Sequence, residues 1–216
     1  TTIPTLASVF LRLAQRGRLY LYSAFKTVMP ALRSLLASPD LGIDAFLLPG
    51  HVSAIIGTRA YAEREGPGGV PSVVAGFEPV DMLSALLLVL RQLSRGERRV
   101  QNAYPRAVRP EGNPRAWALV ERLLEPSDEL WRGLGVISGS GLRLREEHAA
   151  CDARRRFDLP PVRDREPAGC LCGEVIRGKS LPADCALFGH SCTPDHPVGP
   201  CMVSSEGTCA AHLRYA

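Results

Sequence analysis

The stretch Cys170–Cys209, CLCGEVIRGKSLPADCALFGHSCTPDHPVGPCMVSSEGTC, holds six of the seven cysteines, and the seventh, Cys151, lies shortly before it. Residues 1–150 contain none. Thiols confined so sharply mark a module joined to a cysteine-free body, and three chemistries compete for them. Disulfides are disfavoured by the odd count, by the lack of a secretory-type apolar leader and by a body rich enough in apolar residues to fold unstapled. Structural zinc usually takes Cys-x-x-Cys pairs, and none occurs. The close pair is Cys170-Leu-Cys172, followed by gaps of twelve, six and sixteen residues to Cys185, Cys192 and Cys209. An iron–sulfur cubane is wider than one ion and accepts thiolates from separated loops. Leu187, Phe188, Val198, Met202 and Val203 would give it an apolar setting, and Gly173, Gly189, Gly199 and Gly207 would let backbone amides approach the sulfurs.

The body, residues 1–150, alternates in type. Helices are predicted over Pro4–Arg16, Val28–Ala37, Val52–Glu65, Asp81–Arg95 and from Asn113 and Pro114 to Leu124, with Asp81 as an N-cap. Strands are predicted at Leu19–Ser23, Asp44–Leu48, Ser72–Ala75 and Leu134–Ser138, with an edge strand near Val100–Tyr104. The Asp81–Arg95 segment is apolar nearly all round and is expected to be deeply buried. Gly66-Pro67-Gly68-Gly69 and Gly139-Ser140-Gly141 read as turns. Short apolar strands alternating with helices predict an α/β fold, a Rossmann-like parallel sheet flanked by helices. Residues 151–216 are expected to form a linker and a small, irregular cysteine-rich iron–sulfur domain. A helix over Arg145–Arg156 is expected to lead into them through a connector at Pro160 and Pro161, and short helices to follow Pro182 and Ser205.

Net charge is +4, and the lysines are Lys26 and Lys179 alone. From residue 151 onward the charges cancel, so no nucleic-acid footprint is visible. The apolar run Met82–Leu90 is too short to span a bilayer, and a cytoplasmic location is expected.

Ligands of open parallel sheets sit beyond the carboxyl ends of the strands. Leu48-Pro49-Gly50-His51 and Gly76-Phe77-Glu78-Pro79 leave predicted strands in that direction. His51 and Glu78 are therefore candidate cleft residues, against the plainer readings of a packing histidine and a first-turn carboxylate beside a helix dipole.

The segments CGEVIRG, PADCALFG, CTPDHPVGPCMVSSEGTCAA, LLPGHVSAIIG, VVAGFEP and VRPEGNP resemble the HypD family of hydrogenase maturation proteins. The resemblance runs through essentially the whole chain. It implies a [4Fe–4S] cluster on the C-terminal cysteines and a small chaperone partner, HypC. It further implies a scaffold role, with other hydrogenase maturation proteins, in assembling the Fe(CN)2CO centre of nickel–iron hydrogenases, and a cleft lined by PGHVS. Family members extend beyond this region to a cysteine associated with iron and to a Cys-x-x-Cys pair. Neither is present, so the chain is expected to be a C-terminal fragment and an assembly scaffold more than a free-standing enzyme.

Within the module the expected ligands are Cys172, Cys185, Cys192 and Cys209, with Cys170 in reserve. Cys172 precedes Gly173, and the resemblance places a ligand in the motif of Cys209. Cys201 is expected to point into packing and Cys151 to act as a small core hydrophobe. His190, His196 and His212 are expected at the periphery. Two alternatives stay open: an iron–sulfur disulfide reductase resembling ferredoxin:thioredoxin reductase, and a zinc-stapled binding module.

Overall fold

In the computed structural model the described residues are 2–14, 19–64, 69–159 and 167–216. The connector at Pro160 and Pro161, and the expected turn Gly66-Pro67-Gly68-Gly69 apart from Gly69, lie outside them. The chain forms a mixed α/β structure of two units, residues Thr1–Met29, Asp44–Ser127 and Gly141–Asp158 in the first, and Pro30–Ile43, Asp128–Ser140 and Leu159–Ala216 in the second.

The first unit begins with α1 (Ile3–Leu13), whose Ala7 and Phe10 are buried. Leu21 is tied by a single bridge to Asp152 where a strand is predicted, and the strand itself, β1, falls at Phe25–Lys26. α2 (Val28–Leu36) passes into the second unit. β2 (Phe46–Pro49), β3 (Ser72–Ala75) and β4 (Val100–Asn102) form a parallel sheet in that order. Phe46 pairs with Ser72 and Pro49 with Ala75, and Ser72 pairs in turn with Val100. All four residues of β3 are buried, which is why the strand reads as a continuous run rather than as alternation.

α3 (Gly50–Ile56) follows β2 directly, and a 3-10 segment Thr58–Arg64 follows it. There the buried Tyr61 and Ser53 hydroxyls lie 3.0 Å apart, and Ser53 donates to the Pro49 carbonyl at 2.8 Å. α4 (Pro79–Arg95) returns from β3, with Ala85 and Val89 packed on Val73 and Ala75. It stops at Gly96, whose φ of +64° is the left-handed conformation of a helix C-terminus, its N–H reaching the Gln92 and Leu93 carbonyls. The buried amide of Gln92 is satisfied by Gln101 and by the Arg99 N–H, each at 3.0 Å. Contrary to expectation, α4 is not enclosed: it buries Asp81, Ala85, Val89 and Gln92 and exposes Leu83, Leu86, Leu87 and Leu90. Apolarity all round reads as full burial, but the sheet covers one side of a helix.

α5 (Pro114–Leu123) is capped by Asn113, whose side chain accepts the Ala116 N–H at 3.0 Å. It packs Val120 and Leu123 with Ala7, Phe10, Leu21, Leu142 and Leu144, and Cys151 lies against this core. β5 (Leu124–Trp131) then follows where no strand is expected. It carries Pro126 and polar side chains because it is an edge strand, in a second sheet ordered β1-β6-β5. β6 (Gly135–Leu144) runs straight through the expected Gly-Ser-Gly turn, Ser140 being buried and accepting the Trp131 indole N–H at 2.8 Å. The expected helix over Arg145–Arg156 divides into a 3-10 segment Glu146–Cys151 and α6 (Ala153–Arg156), because Asp152 caps the second piece through the Arg154 N–H.

The second unit carries Cys172, Cys201 and Cys209 on short helices, α7 (Cys172–Ile176), α8 (Pro200–Val203) and α9 (Thr208–Tyr215) respectively. The Gly42 N–H donates to the Arg177 carbonyl at 2.9 Å, and Lys179 is paired with Asp40 and with Glu174. Asp128 accepts from the Ser138 hydroxyl and the Gly139 N–H. Among the described residues no helix is long and apolar enough to cross a membrane.

Candidate metal centre

Cys170, Cys172, Cys185, Cys192, Cys201 and Cys209 all line one cavity in the second unit, completed by Leu171, Val175, Phe188, Gly199 and Met202. Each cysteine is delivered by a local turn. Cys172 starts α7. Cys185 follows a 3-10 turn over Pro182–Asp184, in which the Asp184 carboxylate accepts the Leu181 N–H at 2.7 Å. Cys192 closes a small loop by donating its N–H to Leu187 and accepting from Gly189. Cys201 lies in α8 and Cys209 in the first turn of α9. Cys192, Met202 and Ala210 form the buried centre of this packing, with Phe188, Val198 and Cys209 against it.

The six cysteines divide. Cys172 and Cys201, both buried, are joined in a disulfide with a Cα–Cα distance of 6.2 Å across 29 residues of sequence. The Cys201 N–H also donates to the Cys172 sulfur at 3.1 Å. Cys170, Cys185, Cys192 and Cys209 remain as thiols around the same cavity. Burial, and then repulsion from Cys185, Cys192 and Cys170, pushes the Cys209 thiol up to about 11. The Val198 N–H points at the Cys192 sulfur at 3.3 Å, a donor that would stabilise a thiolate. Gly199 is buried against Cys170, and a Cβ there would stand 2.6 Å from its sulfur.

Among the described residues no group of three or more His, Cys, Asp or Glu side chains is arranged to hold a single metal ion. None of the three histidines lines the cavity: His190 and His196 are exposed, and His212 lies against Phe188, ring centroids 5.7 Å apart. Cys151 packs in the first unit's core.

In the first unit, His51 opens α3 after β2, and Glu78 precedes α4 after β3. His51 is exposed and its ring packs on Phe77, centroids 4.5 Å apart. Arg106 and Tyr104 were not singled out in the sequence as site residues, and Asp81, expected there as the N-cap of α4, instead lies inside its first turn, with Glu78 at the N-cap. The buried Asp81 carboxylate is gripped by both terminal nitrogens of Arg106, at 2.6 and 2.7 Å. The Arg106 guanidinium lies over the Tyr104 ring at 4.5 Å and reaches Glu78 at 3.9 Å. The signal for Arg106 was its place just past β4, on the carboxyl side of the same sheet.

A parallel-sheet unit followed by a thiol-lined cavity defines an α/β protein with a cysteine-rich C-terminal module. The family model HypD, described as "Hydrogenase formation hypA family", matches residues 1–216. The chain is 46% identical to the hydrogenase expression/formation protein HupD of Azotobacter chroococcum and 45% identical to the hydrogenase maturation factor HypD of Azotobacter vinelandii. It is 40% identical to a putative hydrogenase expression/formation protein of Methanocaldococcus jannaschii. Each match covers 100% of this chain and 59%, 59% and 60% of those relatives, so the chain spans about three-fifths of their length. The chain belongs to the HypD family of hydrogenase maturation factors.

Proposed function

We propose that the second unit is the cluster-bearing module of a hydrogenase maturation factor, with Cys170, Cys185, Cys192 and Cys209 as thiolate ligands of a [4Fe–4S] cluster. The observation that carries this is the division of the cysteines. The disulfide removes Cys172 and Cys201, and the thiols left over in the second unit are the four that line one cavity. Cys170 thus takes the place that sequence reasoning gave to Cys172. The donor set suits the group: four thiols around one cavity, in an apolar shell, with the Val198 N–H aimed at the Cys192 sulfur. A bound cluster would supply one-electron transfer. Its iron would also keep the Cys209 thiol ionised against the burial that pushes it up.

The Cys172–Cys201 pair adds a two-electron store in the same wall: its reduction takes two electrons and two protons and yields two thiols. Both sulfurs are buried, so a protein dithiol has no direct approach to them. This supports a scaffold for assembling the Fe(CN)2CO centre, acting with a HypC-like chaperone and other maturation proteins, over a free-standing enzyme. A disulfide reductase resembling ferredoxin:thioredoxin reductase is the second reading, favoured by the disulfide lining the cavity.

Oxygen-free purification with iron and sulfide tests the proposal. A brown protein with about four irons per chain is expected. A colourless protein holding one zinc would overturn it. Gly199→Ala is expected to lose at least half of that iron while its circular dichroism stays unchanged, because the new methyl displaces the Cys170 sulfur. Full loading of that variant would remove Cys170 from the ligand set.

A further inference from the structure

Helix α4 turns polar side chains inward and leucines outward. Asp81, Ala85, Val89 and Gln92 are buried, whereas Val80, Leu83, Leu87 and Leu90 are exposed by 74%, 66%, 48% and 61%. Spacings of three, four and three residues set these four on one stripe, about 15 Å long from Val80 to Leu90. Between Asp81 and Arg91 the helix carries no charge. The water-facing side of a helix normally carries its charged residues, and a contiguous apolar patch with charges only at its ends marks an interface. Among the described residues β2 pairs only with β3, so it forms an edge of the sheet, and its Leu47 is exposed.

We propose that the outer stripe of α4 is the docking face for the region that the longer relatives carry beyond the span of this chain. That region amounts to about two-fifths of their length, given the 59% that is matched. Its contact would be an apolar helix laid along Val80, Leu83, Leu87 and Leu90. The uncharged stripe excludes an acidic or basic partner segment, and an apolar helix covers leucines spaced by three and four residues. The inference does not depend on the metal centre.

The test joins this chain to the additional region of the Azotobacter vinelandii relative, in the order that relative has, and compares it with the 216-residue chain. Amide exchange over residues 79–95 is expected to slow by about tenfold in the joined protein. The double variant Leu83→Glu, Leu90→Glu is expected to lower the melting temperature of the joined protein by several degrees and to leave that of the 216-residue chain unchanged or higher. Equal exchange and equal tolerance of the glutamates in both proteins would overturn the proposal. So would a concentration-dependent dimer of the 216-residue chain that the double variant returns to monomer, because the occupant would then be a second copy. Should the joined protein be insoluble, the full-length Azotobacter vinelandii relative carrying glutamate at the two aligned positions gives the same comparison, and tolerance there would overturn the proposal as well.

Discussion

Single cysteine variants, reconstituted without oxygen, are expected to fall into three groups. Cys170→Ser, Cys185→Ser, Cys192→Ser and Cys209→Ser should each lose most of the iron, because each removes one of four thiolates and a hydroxyl is a poor substitute for soft iron–sulfur ligation. Cys172→Ser and Cys201→Ser should keep the iron but lose the disulfide, leaving the other cysteine as one additional titratable thiol in the unfolded protein. Opening a loop of this size costs about 2–4 kcal/mol, so these two variants should also melt earlier. Cys151→Ser should change neither iron nor disulfide, since that side chain packs against the core of the first unit. Iron content, thiol titration after denaturation and a melting curve read all three properties. Normal iron in Cys170→Ser with loss in Cys172→Ser would return Cys172 to the ligand set and remove the disulfide from the resting protein.

The choice between Cys170 and Cys172 shows where sequence reading stopped. Two residues apart in an extended segment, both side chains point the same way, and either could reach a cluster. The structure separates them by starting α7 at Cys172, which turns that residue inward to Cys201. That partnership spans 29 residues and leaves no local trace in the sequence. The parallel sheet was legible for the opposite reason. Ser72–Ala75 is buried on both faces and reads as an unbroken small and apolar run between turn residues. The hairpin strand β5 was hidden, because an edge strand tolerates the Pro126, Asp128 and Glu129 that argue against a central one. The exposed face of α4 was misread because composition reports what a helix can bury, and the packing surface decides what it does bury.

Asp81→Asn is expected to lower the melting temperature at neutral pH by several degrees, and that loss should shrink as the solution is acidified. Hydrogen bonds from Arg106 come first, and the attraction of its charge adds to them, together holding the Asp81 carboxyl below the usual carboxylate range despite burial. A carboxyl depressed in the folded state stabilises that state above the unfolded value of roughly 4, and the contribution disappears as pH falls through the lower folded value. Wild type should therefore lose stability below about pH 4 more steeply than the asparagine variant, and the two melting curves should approach each other as the pH falls further. Asp40, Asp128 and Glu146 are depressed in the same direction by their own partners, so the difference between the two proteins isolates Asp81. The substitution also releases Arg106, whose guanidinium otherwise stays between Tyr104 and Glu78 at the carboxyl end of the sheet. Hydrogen exchange in Gly76-Phe77-Glu78 should accelerate, and His51 should lose its fixed packing on Phe77. Parallel pH profiles for the two proteins, with unchanged exchange in that loop, would mean that the ion pair neither stabilises the unit nor orders the edge where His51 and Glu78 stand.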